Sequence, residues 1–420
     1  MTAPDGRGPA HGTSDAPSAR SGPRTSATAT ATRDAEFAEL VATRRDLHAH
    51  PELGFDEHRT ASLVAERLAA LGYQVKTGVG KTGVVGVLRG AAAGGAGPER
   101  TVLLRADMDA LPIHEANGVA YRSTAPGVMH ACGHDAHVAI GLAVARRLAA
   151  DRGSWRGTVK FAFQPAEEGG NGALAMIEDG VLENPHVDAA FGLHVMNNLP
   201  IGRIAATPGP IMGSVDKFDI TIRGKGGHAA MPHEAVDPIL AASHVVTALQ
   251  SMVSRGADPF DQLVVSVTQI NAGDAFNVIP ETAELAGTVR SMGGRLYDEA
   301  PARLTAITSG VATALGCTAE VTYVRQTPAT VNDDAMARLA ARIAAQLVGE
   351  ANVLTAARTL GGEDFSFFLQ RVPGCFAWVG SQNPAKGFEA PHHSPRFDID
   401  ENAMPTGVEL LDRLAREYLR

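Results

Sequence analysis

Cysteine is scarce in this chain. Cys132, Cys317 and Cys375 are the only three in 420 residues, too few and too scattered for a disulfide framework. That usage fits a reducing cytoplasm. A basic surplus is also missing: 37 Lys and Arg stand against 46 Asp and Glu, a formal charge of −9. Such a balance argues against a nucleic-acid partner or attachment to an anionic membrane. No apolar run approaches the roughly 20 residues that a membrane-spanning helix needs. The first 33 residues are Ala, Thr, Ser, Gly and Pro with almost no large apolar side chains. They lack the apolar segment of a secretory signal and read as a solvated, disordered tail, with an organelle transit peptide as the other option.

What is present is an ordinary globular composition, 45% hydrophobic and 20% charged, in a chain too long for one simple core. Apolar spacing predicts a helix in "AEFAELVATRRDLHAHPELG" that stops near Pro51, and a second in "EHRTASLVAERLAALG" closed by Gly72. Short apolar runs then alternate with helical stretches: "TGVVGVLRG", "TVLLRAD", "HVAIGLAVARRLAA", "GTVKFAFQ", "GALAMIEDGVL" and "VDAAFGLHV". This predicts an α/β domain with a mostly parallel sheet and helices on both faces. Residues 210–327 read differently, with the order β-α-β-β-α-β and strands such as "VDKFDITIRGKG" that alternate apolar and polar residues. That order is the split arrangement of a ferredoxin-like α+β domain. After it the α/β pattern resumes. The expectation is a domain of residues 34–209 and 328–420, interrupted by an insert of residues 210–327.

The polar residues cluster where those strands end. "TVLLRADMD" delivers Asp107 and Asp109, "FQPAEEGG" delivers Gln164, Glu167 and Glu168, and "GLHV" delivers His194. "CFAWVGS" leads into a loop with His392 and His393, and Cys132 and His134 precede a helix in "VMHACGHDAHVAIG". Taken singly, each has a plain reading. His194 would be a hydrogen-bonded structural residue, Asp135 a helix N-cap, the glutamate pair a solvated loop end, and Cys132 a small buried side chain. Ligands of open α/β sheets sit at the carboxyl ends of the strands, so these groups can converge on one crevice. A thiolate with imidazoles and a carboxylate suits zinc, manganese, cobalt or nickel. Cys132 as a nucleophile with a histidine base is the competing chemistry. "GKGGHAAMPH" is glycine-rich but lacks phosphate-loop spacing, because His228 stands where the hydroxyl residue belongs.

The blocks "RRDLHAHPELGFDEHRT", "LRADMDALPI", "MHACGHDAH", "FQPAEEGGNGA", "GLHV", "GKGGHAAMPH", "NVIPETAELAGTVRS", "GGEDFSFF" and "HHSPRFDIDE" occur in this order. Together they resemble the metal-dependent amidohydrolases of the aminoacylase and carboxypeptidase clan, in the branch of hippurate hydrolases, N-acyl-amino-acid amidohydrolases and auxin-conjugate hydrolases. The resemblance runs from about residue 34 to the C-terminus. It implies two divalent metal ions per subunit, with Cys132, His134, Glu168, His194 and His393 as ligands and His392 as the register alternative. It implies Glu167 as general base, Asp109 as an acid supporting the site from behind, and Asn277 and Arg290 at the substrate's α-carboxylate. For Arg290, a surface charge at a strand end is the other reading. By the same resemblance His228 of the insert helps to hold the carbonyl oxygen, often in the partner subunit's site, and the chain is a homodimer through the insert. Met196 and Asn197 depart from the family pattern of an aromatic residue and a proline, which alters the expected pocket wall.

The reaction so implied is hydrolysis of N-acyl amino acids to a carboxylic acid and a free amino acid. Metal ions would lower the pKa of water and polarise the carbonyl, while Glu167 moves the proton. A thiol hydrolase leaves Glu168, His194 and His393 without a role. A metallopeptidase acting on dipeptides is the nearest rival. A binding protein without turnover is the remote one, since fold alone does not give function.

Overall fold

The computed structural model describes residues 24–93 and 98–420. The chain divides into two units after Glu39. The first is described only by the start of the helix Arg24–Ala49. Ten residues of the segment read as a tail, 24–33, therefore lie in a helix. The remainder of the tail, residues 1–23, lies outside the described residues.

In the unit Leu40–Arg420, an eight-stranded sheet runs in the order 74–79, 83–89, 158–164, 101–107, 189–200, 374–382, 204–205, 353–354. The four central strands pair in parallel, while 74–79 and 83–89 are antiparallel at one side. The sheet is mostly parallel at its centre, as expected. Its flank includes Gln74–Val79, a strand absent from the sequence reading because its residues do not alternate in polarity. Burial explains the central strands: "TVLLRAD" is buried at all seven positions of Thr101–Asp107, the pattern of a strand covered on both faces. The helix His134–Ala150 buries 13 of its 17 residues, so even the polar residues of its first turn lie inside the protein.

Residues 215–327 build a separate four-stranded antiparallel sheet, ordered 263–271, 282–291, 215–223, 318–327. The helices Pro238–Leu249 and Gly294–Ala314 pack on one side of it, joining Phe218, Ile220, Ala241, Val245, Leu285 and Leu304 in one cluster. Local chemistry sets the helix starts. The Asp237 carboxylate accepts the Ile239 N–H at 2.8 Å, and Asp333 accepts those of Ala335 and Met336 at 2.9 Å. Among the described residues, no helix is long and apolar enough to cross a membrane.

Candidate metal centre

The turn into the helix His134–Ala150 depends on Gly133. Its φ of 90° is left-handed, and a Cβ there would stand 2.4 Å from Val195 Cγ2. Only glycine lets the Cys132–His134 segment lie this close to the strand that carries His194. Asp135 is not the N-cap its position suggested. Its carboxylate, buried, accepts Arg44 Nε and His48 Nδ1 at 2.8 Å each, tying the helix start to the Arg24–Ala49 helix. Burial opposes the charge, but Arg44, His48 and His130 together outweigh it and hold the Asp135 carboxyl far below its usual pKa. His194 sits in mid-strand rather than at a strand end, because the strand runs on to Pro200 beside residues 374–382.

The five expected ligands come together. Cys132, His134 and His194 form one group of donor atoms within 4.8 Å of one another, and Cys132, Glu168 and His393 form another. Cys132 is common to both. Cys132 Sγ lies 3.4 Å from His194 Nε2, and His393 Nε2 lies 3.1 Å from Glu168 Oε1. The rings are turned by hydrogen bonds from behind. His134 Nδ1 donates to the Asp109 backbone carbonyl at 2.9 Å, and His194 Nδ1 to that of Val195 at 2.7 Å. In each ring Nε2 is the nitrogen left to face the cluster. Two buried atoms, His134 Nε2 and Glu168 Oε1, make no hydrogen bond and have only ion-pair neighbours, Asp107 Oδ2 at 3.3 Å and His393 Nε2 at 3.1 Å; a cation between the donors would satisfy both. The donor set fits a borderline divalent metal. Burial opposes charge on His134, but Asp107 and Asp109 outweigh it and hold its pKa well above the usual value. His194 shifts the other way: burial, with His137 and His392 beside it, holds its pKa well below the usual value.

Glu167 stands beside this set, in a group with His134 and Glu168 and in another with Glu363 and Asp364. Burial, then Glu363, Glu168 and Asp364, push its pKa well above the carboxylate range. All of these residues except His134 line a cavity of about 560 Å³, which Met196, Met212 and Arg290 also border. Among the described residues, the Arg290 guanidinium makes no ion pair or hydrogen bond, although it is half-buried. His392 is close to Cys132, with Nδ1 3.6 Å from Sγ, but its Nε2 accepts the Asn197 N–H at 3.0 Å. Asn197 thus braces the histidine loop, and also donates to the Ala390 carbonyl at 2.7 Å. Of the two departures from the family pattern, only Met196 touches the cavity. His228 and Asn277 do not line it. Both are exposed, next to the two-stranded pairing of Gly227–His228 with Val278–Ile279.

Residues 103–417 match peptidase family M20/M25/M40. The chain belongs to this family. Among its M20 relatives, IAA-amino acid hydrolase ILR1-like 4 of Arabidopsis thaliana is 41% identical over 93% of this chain and 88% of its own length. N-acetylcysteine deacetylase of Bacillus subtilis is 39% identical, covering 90% and 96%. The crystal structure of the Bacillus subtilis YXEP protein, described as a dinuclear metal binding peptidase from the M20 family, superposes with a TM-score of 0.80. It is 35% identical and covers 92% of this chain and 99% of its own.

Two acids of the M20 chain gained no role from sequence. Glu363 and Asp364 lie beneath Glu167 and share the buried Arg105 guanidinium, at 2.8 and 3.2 Å. Asp364 also accepts the Gln164 amide at 2.7 Å. Burial outweighs Arg105 and pushes Asp364 up to about 8. The block "GGEDFSFF" carried these acids in sequence, but nothing in its spacing tells which strand end they face.

Proposed function

We propose that this M20 hydrolase cleaves the amide bond of N-acyl amino acids, with two divalent cations held by Cys132, His134, Glu168, His194 and His393. The observation that carries the reading is that Cys132 belongs to both donor groups while Glu167 lies against them without being needed as a donor. The names of the relatives, an IAA-amino acid hydrolase and an N-acetylcysteine deacetylase, support the substrate class. Zinc or manganese suits this donor set best, with cobalt or nickel next. Divalent ions held there supply Lewis acidity toward water and the amide carbonyl. Glu167 takes a proton from the attacking water and returns it to the departing nitrogen, a task suited to a buried carboxylate whose basicity is raised by burial and by neighbouring acids. Asp109 keeps the His134 ring in register. Arg290, a free guanidinium on the cavity wall, pairs with the substrate α-carboxylate, with Asn277 assisting.

His228 donates to the carbonyl oxygen as charge develops on it. Its exposure, away from the cavity of its own chain, suits service to the site of a second copy. Residues 210–327 would then be an insert between 34–209 and 328–420 that carries the contact of a homodimer. The exposed Met231, Phe276 and Val278 beside His228 are apolar surface of the kind such a contact covers. Three unpaired cysteines fit a cytoplasmic location. No nucleic acid or membrane partner is needed.

The test joins substrate and metal. Enzyme loaded with zinc or manganese is assayed on hippurate, other N-acyl amino acids and dipeptides, then stripped with a chelator and reloaded. Acyl amino acids should be cleaved faster than dipeptides. Stripping should abolish turnover and open Cys132 to iodoacetamide, and reloading should reverse the loss for unalkylated protein, because a metal-bound thiolate is shielded. Full activity in the stripped enzyme, or rapid alkylation of Cys132 in the loaded one, would refute the assignment.

A further inference from the structure

The block "HPELGFDEH" supplies none of the proposed ligands, yet its Glu57 reaches the turn that carries Glu167. Glu57 is wholly buried. One carboxylate oxygen accepts the Ala166 N–H at 2.8 Å, and the other accepts the Thr82 hydroxyl. Ala166 immediately precedes Glu167 and has a φ of 48°, a left-handed backbone that disfavours alanine. On the other side of Glu167, the Asp109 carboxylate accepts the Glu168 N–H at 2.9 Å. Two buried acids from different segments thus grip the N–H groups that flank the proposed base. The space is closed as well: a Cβ on Gly54 would lie 3.0 Å from Ala166 Cβ, and one on Gly170 2.6 Å from it.

Among the described residues Glu57 has no ion-pair partner. Burying a carboxylate with only neutral donors is costly, and burial pushes its pKa up. Strained backbone of this kind persists only where the surrounding contacts over-determine it.

We propose that Glu57 is a positioning residue for Glu167, holding the left-handed Ala166 turn so that the base carboxylate is aimed at the reacting water. This rests on the reading of Glu167 as the base. In Glu57→Ala the turn is released while every proposed ligand remains. The kcat on an N-acyl amino acid should fall about 10- to 100-fold, with KM changed by less than roughly threefold and the metal content as in the wild type. Glu57→Gln should recover most of the loss. Its amide oxygen can still accept the Ala166 N–H, and its amide N–H can donate to the Thr82 hydroxyl, which then acts as acceptor. Thr82→Val, which keeps the side-chain shape, should show a smaller loss of kcat in the same direction. Amide hydrogen exchange of peptides spanning residues 163–172 should be faster in Glu57→Ala than in wild type, in metal-free protein too.

An alanine variant with wild-type kcat would overturn the proposal. So would a loss of activity that tracks a loss of metal, or a glutamine variant no better than the alanine one. Should the wild type cleave no N-acyl amino acid, the proposed function falls separately. Hydrogen exchange then decides the role of Glu57: unchanged exchange refutes it, and faster exchange confined to 163–172 supports it.

Discussion

Glu167 and Glu168 are neighbours in one turn, with different surroundings. Glu168 has a buried oxygen 3.1 Å from His393 Nε2, whereas Glu167 faces the acids Glu363 and Asp364. Glu167→Gln should keep both metals and the wild-type melting temperature while lowering kcat by about 100- to 10,000-fold, the usual weight of a general base. Glu168→Gln should lose metal and melt earlier, since ligand that binds only the native state stabilises it. Metal analysis and thermal melts on the two purified variants separate the roles. Equal metal content in both would show that the division is wrong. The residue types of this turn were legible in "PAEEGG". The raised basicity of Glu167 was not, because it comes first from burial and then from acids that include Glu363 and Asp364, almost 200 residues away in sequence.

At the scale of elements, the helix His134–Ala150 is set in place by what precedes it. Gly133 supplies a left-handed turn against Val195, and Asp135 locks the first turn to Arg44 and His48. Gly133→Ala should therefore destabilise the protein by about 2–5 kcal/mol, combining left-handed strain with a clash in a packed site. Its effect should extend to metal content, because Cys132 and His134 flank the strained residue. A melting temperature and metal content equal to wild type would mean that the turn tolerates a side chain. The apolar run "HVAIGLAVARRLAA" located this helix in the sequence. In sequence Asp135 reads as a cap, since a capping aspartate and a buried ion-paired one look alike until Arg44 is known to be adjacent.

At the scale of the whole molecule, the exposed position of His228 gives the proposed dimer a direct test. His228→Ala and Glu167→Gln chains, each inactive as a homodimer, would be unfolded together and refolded. In a heterodimer one site combines an intact Glu167 with an intact His228 from the partner. Activity should recover to about one quarter of wild type under random pairing, an estimate that rests on twofold symmetry. Heterodimers confirmed by size and mass but without activity would place His228 within its own site, or outside the chemistry.

The order of strands and helices, the change of pattern near residue 210 and the inventory of thiol, imidazole and carboxylate groups were determined by sequence, because each is written in local composition and period. The parallel centre of the main sheet follows from those patterns as well. Only the tertiary structure decided the rest. It set the antiparallel flank with Gln74–Val79, the sharing of Cys132 between two donor groups, and the Asn197 N–H on His392. It also set the grip of Glu57 on the Ala166 turn. These are contacts between segments tens to hundreds of residues apart. Their partners are chosen by packing and by the need to satisfy buried polar groups, neither of which leaves a periodic mark on the chain.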